Sequence, residues 1–329
     1  MAPSPHNTQP WAFRVEGDVI EVLADTERNL GPLDPYWREM TIGLGCAVEG
    51  LVTAAAGEGY TAEGGLFPDT QRREVVARVR VRQNRQPRGV ERYRQIAERH
   101  THRGPYEAER TVPKDAVRRL SSVVDQLADV RLILLRADSQ AARLFAEGTV
   151  DATKSIVADA ELMAAARKWE RHPLTEVKAQ RDGISVINAG LPEEWTRALL
   201  TSPWLPDILM AEGWVRATRD VHCATAGFFG ALAVRPPVGR QHLLEAGRLW
   251  QRLHLEAASM GMAMQPLNQL MEMADRDRAL GRPSRAAASL ARISGGGDWR
   301  IVFGFRGGYA AEPAPPSPRR GVRTVTVSG

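Results

Sequence analysis

The period of hydrophobic and polar positions changes several times along the chain, and those changes predict its elements. Residues 11–15 and 19–24 are apolar-rich runs flanking Gly17-Asp18, which predicts a β-hairpin. A loop with Gly31, Pro32 and Pro35 follows. Residues 38–57 turn helical and strongly apolar, with Gly57 and Gly59 as the stop signal. Residues 75–81 alternate apolar with Arg and Glu, the pattern of a strand with one wet face. The polar stretch 83–89, with its proline, is the best linker. Beyond it, residues 90–100 predict a short helix, 114–128 a helix with Pro113 at its start, and 130–135 a strand. The Ala-rich stretch 139–169 predicts one long helix with Gly148 as its weak point. Residues 171–210 are irregular, with Pro173, Pro192, Pro203 and Pro206. Residues 219–234 and 242–260 predict helices and 299–305 a strand. Residues 312–318 form a proline-rich, extended tail.

Two of these helical segments match without gaps. Arg38, Ile42, Gly45, Leu51, Ala55, Ala56 and Gly59 correspond to Arg240, Leu244, Gly247, Leu253, Ala257, Ala258 and Gly261. Ala/Leu-rich helices produce such matches by chance. The alternative is a duplicated unit whose copies pack as a pseudo-dimer within one chain, with the small residues admitting close helix approach.

The length, 329 residues, suits two domains. A hydrophobic share of 43% with 25% charged residues excludes a disordered chain, a collagen and a disulfide scaffold. No window reaches the ~20 uninterrupted apolar residues of a membrane helix, so no membrane association is expected. The formal net charge is +5, and all but four of the 44 basic residues are arginines. Arginine suits bidentate phosphate recognition. The basic residues are dispersed and not interleaved with aromatics, which argues against nucleic acid. Cys46 and Cys223 stand far apart without His or Asp at metal-ligand spacing, so no metal site is expected and a reduced, cytoplasmic setting fits. The opening Met1-Ala2-Pro3-Ser4 predicts no secretory leader.

Three short motifs carry chemistry. Residues 3–11, Pro-Ser-Pro-His-Asn-Thr-Gln-Pro-Trp, set Ser4, Asn7 and Gln9 on a proline-fixed loop before a strand. Each amide offers a donor and an acceptor on one flat group, which suits the edge of a heteroaromatic ring; an ordinary terminal loop has the same composition. In Arg99-His100-Thr101-His102-Arg103, an extended backbone puts Arg99, Thr101 and Arg103 on one side, as a phosphate monoester requires; the plainer reading is a solvated basic turn. Arg319 and Arg320 form a basic pair near the end, which alone reads as a disordered tail.

In combination these motifs resemble the nitroreductase superfamily of flavoproteins, and more closely its Acg-like branch of single-chain, fused members. The superfamily's ring-contacting loop, Pro-Ser-x-x-Asn-x-Gln-Pro-Trp, matches residues 3–11. Its phosphate motif, Arg-x-Ser/Thr-x-Arg, matches Arg99, Thr101 and Arg103, and its C-terminal basic pair matches Arg319 and Arg320. The strand at 299–305, followed by Gly307-Gly308-Tyr309, resembles the family's last core strand. The resemblance implies an α+β, nitroreductase-like fold of two fused units forming an intramolecular pseudo-dimer around mixed or antiparallel sheets. Residues 1–89 would be an incomplete first unit carrying the flavin-ring loop. Residues 90–329 would be the second unit, carrying the phosphate site, with 169–214 as a lid. One FMN is implied, oriented by Ser4, Asn7 and Gln9 and held at its phosphate by Arg99, Thr101, Arg103, Arg319 and Arg320. The family's backbone N–H to flavin N5 would fall at Gln265-Pro266-Leu267. Pro266 has no N–H, so Leu267 or Gln265 would supply the contact, or it would be absent.

The implied activity is that of an FMN-dependent oxidoreductase, taking electrons from NAD(P)H and passing them to a small organic acceptor in a ping-pong cycle, with no catalytic side chain besides the flavin itself. The alternative is a non-catalytic protein that sequesters FMN under a closed lid, and a third is a relic that has lost flavin. Trp169, Trp195 and Trp204, with Trp214, serve either as an aromatic lid over the flavin or as anchors packing a long loop. His222 in an apolar segment reads as core, and Cys223 as inert. The implied state is a monomer.

Overall fold

The computed structural model describes residues 1–84, 86–124, 128–171, 174–190, 196–197, 199–200 and 207–327. Two sheets frame the molecule. The first has the strand order β3-β4-β2-β1-β9. Its hairpin, β1 (Trp11–Glu16) and β2 (Val19–Ala24), turns at Gly17, whose φ of +57° suits glycine. β4 (Val75–Gln83) pairs antiparallel with β2, and β3 (Tyr60–Leu66) pairs antiparallel with β4. The short β9 (Thr326–Val327) lies parallel to β1, with Thr326 opposite Phe13, so this sheet is mixed. The second sheet is antiparallel throughout: β5 (Val130–Arg136), β6 (Phe228–Val234), β8 (Arg300–Gly308), then β7 (Ala263–Pro266) at the edge.

The helices are α1 (Arg38–Gly57), α2 (Val90–Glu98), α3 (Lys114–Ser122), α4 (Gln140–Ala158), α5 (Ala160–Arg167), α6 (Leu174–Gln180), α7 (Asp207–Arg216), α8 (Arg240–Ser259), α9 (Gln269–Ala279), α10 (Arg285–Ile293) and α11 (Val322–Val325). The two segments that match in sequence, α1 and α8, pack directly on each other. A methyl group on Gly45 would lie closer than 3.0 Å to the Leu244 carbonyl oxygen, and one on Gly247 closer than 3.0 Å to that of Ile42. Ile42 and Leu244 are repeat partners, as are Gly45 and Gly247, so each glycine meets the partner of the other's neighbour. That reciprocity is the mark of a two-fold interface, here within one chain. Helix α1 is long and apolar enough to cross a membrane by length and composition, yet its residues from Arg38 to Glu49 are buried, largely beneath α8.

One apolar cluster joins α1 and α8 through Met40, Ile42, Leu44, Leu244, Trp250 and Leu253. A second lies between the other face of the second sheet and helices α4, α5, α9 and α10. β6 is buried at all seven positions, with Leu232 and Val234 in one cluster and Phe229, Ala231 and Ala233 in the other.

Several elements differ from the sequence pattern. Residues 228–234 form the strand β6 rather than the end of a helix, because a strand buried on both faces shows no alternation. The stretch before it, Ala217–Cys223, is a turn of π-helix. The helix expected over 139–169 breaks at Asp159, not at Gly148. The Asp159 carboxylate accepts from the Glu161 and Leu162 N–H groups and so starts α5, whereas Gly148 sits inside α4 with Leu270 closely packed on it. The helix after Pro113 ends at Ser122.

Candidate functional site

The loop before β1 is built on strained backbone. His6, Asn7 and Gln9 all have left-handed φ values, 45°, 54° and 50°. Such residues cost about 1–3 kcal/mol each and persist only where their surroundings hold them. Ser4 Oγ holds the loop from inside by accepting the Gln9 N–H at 2.9 Å. The amides hold it from outside. Asn7 Nδ2 donates to the carbonyls of Gly183 and Pro318, both at 3.1 Å, while its Oδ1 accepts from Arg319 Nη1 at 2.8 Å. Gln9 Nε2 donates to the Arg181 carbonyl at 2.9 Å, and its Oε1 accepts the Arg320 N–H at 2.9 Å. Arg320 Nη1 also donates to the Gln9 carbonyl at 3.1 Å. The segment between β8 and β9 therefore brings Arg319 and Arg320 across the molecule to the first loop.

The second motif follows α2 and runs beside β7. Thr101 forms an isolated parallel bridge with Met264, whose carbonyl accepts the His102 N–H at 3.3 Å. Arg99 is 2% exposed. Its Nη2 donates to the Met1 carbonyl at 2.9 Å, and its Nη1 lies 3.3 Å from His254 Nδ1. Its Nε has no partner. Arg103 Nη1 donates to the Asn188 carbonyl at 3.2 Å. Burial lowers the pKa of Arg99 to about 9, with the Arg319 guanidinium adding to the effect, and holds Arg103 and Arg319 near 10. Among the described residues no carboxylate lies within 4 Å of Arg99, Arg103 or Arg319. Arg320 comes only within 3.9 Å of Asp25.

Many other arginines of the chain are paired with acids, although the buried Arg306 is bonded to carbonyls instead. Glu21 alone binds Arg14, Arg72 and Arg78, and Glu49 binds Arg248 and Arg252. A buried Arg99 with half-buried Arg103 and Arg319, none with an acid partner among the described residues, fits a bound anion. A phosphate monoester matches their charge and the chemistry of their N–H donors, so the residues present fit the phosphate of FMN.

The third region corrects an expectation. The Leu267 N–H donates to the Gly304 carbonyl at 2.8 Å and is not available to a flavin. Pro266 is the last residue of β7, paired with Phe305, and Gln265 lies opposite Arg306. The Gln265 side chain is engaged, its Oε1 accepting from Arg306 Nε at 2.7 Å. Arg306 is fully buried and also donates to the carbonyls of Val221, His222, His102 and Gly104. It ties β8 and β7 to the Arg99–Arg103 segment. Its signal in the sequence was a charge within the apolar run of β8, which otherwise has one only at its first residue, Arg300.

Trp169 is 4% exposed and packs in the second apolar cluster, with Arg28 and Arg171 over its ring at 5.2 and 5.5 Å. It anchors a loop that closes through the mutual backbone bonds of Trp169 and Arg171 with Ile184. Asp182 in this loop pairs with Arg28 and Arg171. Trp214 packs against the same cluster, while Trp195 and Trp204 lie outside the described residues. His222 is buried, as expected. Burial, with Arg306 and Arg103 nearby, keeps its pKa well below the usual histidine range. Burial pushes the Cys223 thiol up to about 12, which leaves it inert.

A separate charge cluster was invisible in sequence. Buried Arg38 donates to Asp275 Oδ2 at 2.6 Å and to Glu39 Oε1 at 3.2 Å. Asp34 accepts the Glu39 and Met40 N–H groups at 3.0 and 2.9 Å. Burial and the neighbouring carboxylates raise Glu39 to about 7 and push Glu272, which is hydrogen-bonded to it, higher than the ordinary carboxyl range. Arg240, the repeat partner of Arg38, sits instead over the Phe67 ring at 4.5 Å.

No protein-family model matches the chain. Among curated proteins, it is 28% identical over 332 residues to "Putative NAD(P)H nitroreductase Rv3131" of Mycobacterium tuberculosis, an alignment that covers 98% of this chain and 87% of that protein. It is 35% identical over 68 residues to "Putative NAD(P)H nitroreductase acg" of the same organism, which covers 21% of this chain and 20% of that one. Among solved structures, the FMN-dependent nitroreductase NfnB of Mycobacterium smegmatis, in complex with NADPH, aligns at a TM-score of 0.44 and 16% identity. That alignment covers 72% of this chain and 97% of NfnB.

Proposed function

We propose that the chain is a member of the nitroreductase superfamily, on its Acg-like side, and that it is an FMN-dependent oxidoreductase that takes electrons from NAD(P)H and delivers them to a small organic acceptor. The observation that supports this best is the set of guanidiniums at buried Arg99 and half-buried Arg103 and Arg319, which have no carboxylate partner among the described residues.

FMN supplies the electron-transfer chemistry when bound. The chain's residues bind, orient and shield it. Arg99, Arg103 and Arg319 hold the phosphate, with Thr101 and Arg320 beside them. Asn7 and Gln9 address the polar edge of the ring, with Ser4 holding their loop in shape. Their Nδ2 and Nε2 donors now serve the carbonyls of Gly183, Pro318 and Arg181. A ring edge that reaches them must offer acceptors in place of those carbonyls, because an unmet buried donor costs about 1–3 kcal/mol. In this reading residues 1–89 face the ring, residues 90–329 grip the phosphate, and the protein works as a cytoplasmic monomer.

The second reading, an FMN-sequestering protein, is favoured by one feature. The amides of the ring loop are fastened to residues 181–183, which closes that side. Two measurements separate the readings. Purified protein should carry a flavin spectrum, and Arg103→Ala should weaken flavin retention; unchanged occupancy refutes the phosphate assignment. Anaerobic NAD(P)H should bleach the bound flavin, and no bleaching with either donor refutes the oxidoreductase.

A further inference from the structure

We propose that His254 is a positioning residue of the phosphate site. It fixes the direction of the Arg99 guanidinium and so gives the site its preference for a phosphorylated flavin over an unphosphorylated one. This rests on the reading above, in which Arg99 meets the phosphate.

His254 projects from α8 and is 1% exposed. Its Nε2 lies 3.2 Å from the His100 carbonyl oxygen. A carbonyl only accepts, so Nε2 carries the hydrogen. A neutral imidazole has one N–H, which leaves a lone pair on Nδ1, and that atom lies 3.3 Å from Arg99 Nη1. The ring therefore donates to the backbone at His100 and accepts from the side chain at Arg99. It spans two consecutive residues and fixes the angle between the guanidinium and its own main chain.

The ring is held in turn. Trp250 packs on it with ring centroids 5.0 Å apart. Burial, together with the cationic Arg99, keeps it neutral. The other titratable and charged groups around this corner are His100, neutral through burial; Cys46 of α1, whose thiol burial pushes up; and Arg319, which repels Arg99. None of them offers Arg99 an anionic alternative. The second nitrogen, Nη2, is tied to the Met1 carbonyl. Arg99 Nε, buried and without a partner among the described residues, is left for a ligand together with the second N–H of each Nη. A free arginine side chain carries about 2 kcal/mol of rotamer entropy. With both Nη atoms tied, that entropy is lost on folding rather than on binding, which favours the anion.

The test compares dissociation constants for FMN and riboflavin in the full-length protein, freed of flavin, by quenching of flavin fluorescence. The readout is the riboflavin-to-FMN ratio, because a general packing defect weakens both ligands together. His254→Asn keeps an acceptor near the Nδ1 position, whereas His254→Gln places its polar group near the Nε2 position and leaves Arg99 unheld. The expected result is a ratio near wild type for His254→Asn and a fall of about tenfold or more for His254→Gln, the size of one hydrogen bond to a charged group. Riboflavin affinity should be unchanged in both. Equal ratios in the two variants, or parallel losses for both flavins, overturn the role of His254. Arg99→Met is the separate control: if it leaves the ratio intact, the phosphate assignment itself fails.

Discussion

Gly45→Ala is expected to destabilise the protein strongly, against the usual direction of such a change. In an exposed helix interior, alanine is favoured over glycine by about 0.5–1 kcal/mol. At Gly45 the new methyl would lie closer than 3.0 Å to the Leu244 carbonyl oxygen and 2.9 Å from Gly247 Cα. Both neighbours are backbone, so neither can swing away. Carbon contacts settle at about 3.5–4.0 Å, so α1 and α8 must part by on the order of 1 Å. A gap of that size forfeits a quarter to a half of each contact across the pair, and overpacking adds about 1–3 kcal/mol. The separation also stretches the bonds from Arg248 and Arg252 to Glu49. The total loss is about 3 kcal/mol or more. Gly50→Ala is the matched control in the same helix, because nothing lies within 4 Å of a methyl there; it should be neutral or stabilising. Urea unfolding read by circular dichroism measures both. Gly45 and Gly247 share one crossing, so the double alanine variant should cost less than the sum of the single ones. A Gly45→Ala protein within 0.5 kcal/mol of wild type would refute the packing argument, and strict additivity would refute the shared crossing.

Other outcomes follow from the charged interior. Glu39, raised to about 7, stabilises the fold fully below its ordinary value near 4.5, and that contribution is lost as pH rises through about 7. Stability should therefore fall by on the order of 3 kcal/mol between pH 5 and 8.5, and Glu272→Gln should flatten the profile; a flat wild-type profile of urea midpoints would count against it. Asp159→Ala removes the cap of α5 and a partner of Arg276, and should cost about 1–2 kcal/mol by the same assay, with Asp159→Asn closer to wild type. Arg306→Met leaves the carbonyls of Val221, His222, His102 and Gly104 without their shared donor. It should lower stability by about 3 kcal/mol or more, and an unchanged thermal midpoint would show those carbonyls satisfied by other means.

Local signals survived best where they had a single cause. The hairpin around Gly17 and the long helices α1 and α8 follow from turn chemistry and period. The repeat between those helices became interpretable through two glycines whose neighbours are backbone. β6 was hidden because a strand buried on both faces has the same continuous apolar look as a buried helix. β3 was hidden because an edge strand with Gly64 and Gly65 has little side-chain pattern. At the candidate site, the residues of both loops were legible as motifs, while their contacts were not. Arg181, Gly183 and Pro318 act through carbonyl oxygens, which leave no mark in composition. His254 and Arg306 lie in elements far along the chain from the loop they support. Leu267 looked available because the Gly304 carbonyl that takes its N–H belongs to another strand.

The pairing of β9 with β1 sets an order in time. β1 meets β2 early, but its other partner, β9, is synthesised only after everything between Phe13 and Thr326. While the rest emerges, the β1 edge is an open row of backbone donors and acceptors, the kind of surface that invites pairing with another nascent chain. The same delay holds for the amides of the first loop, because Arg319 and Arg320 arrive on the segment that delivers β9. The first sheet and the loop in front of it are thus completed together, by a segment far along the chain from both.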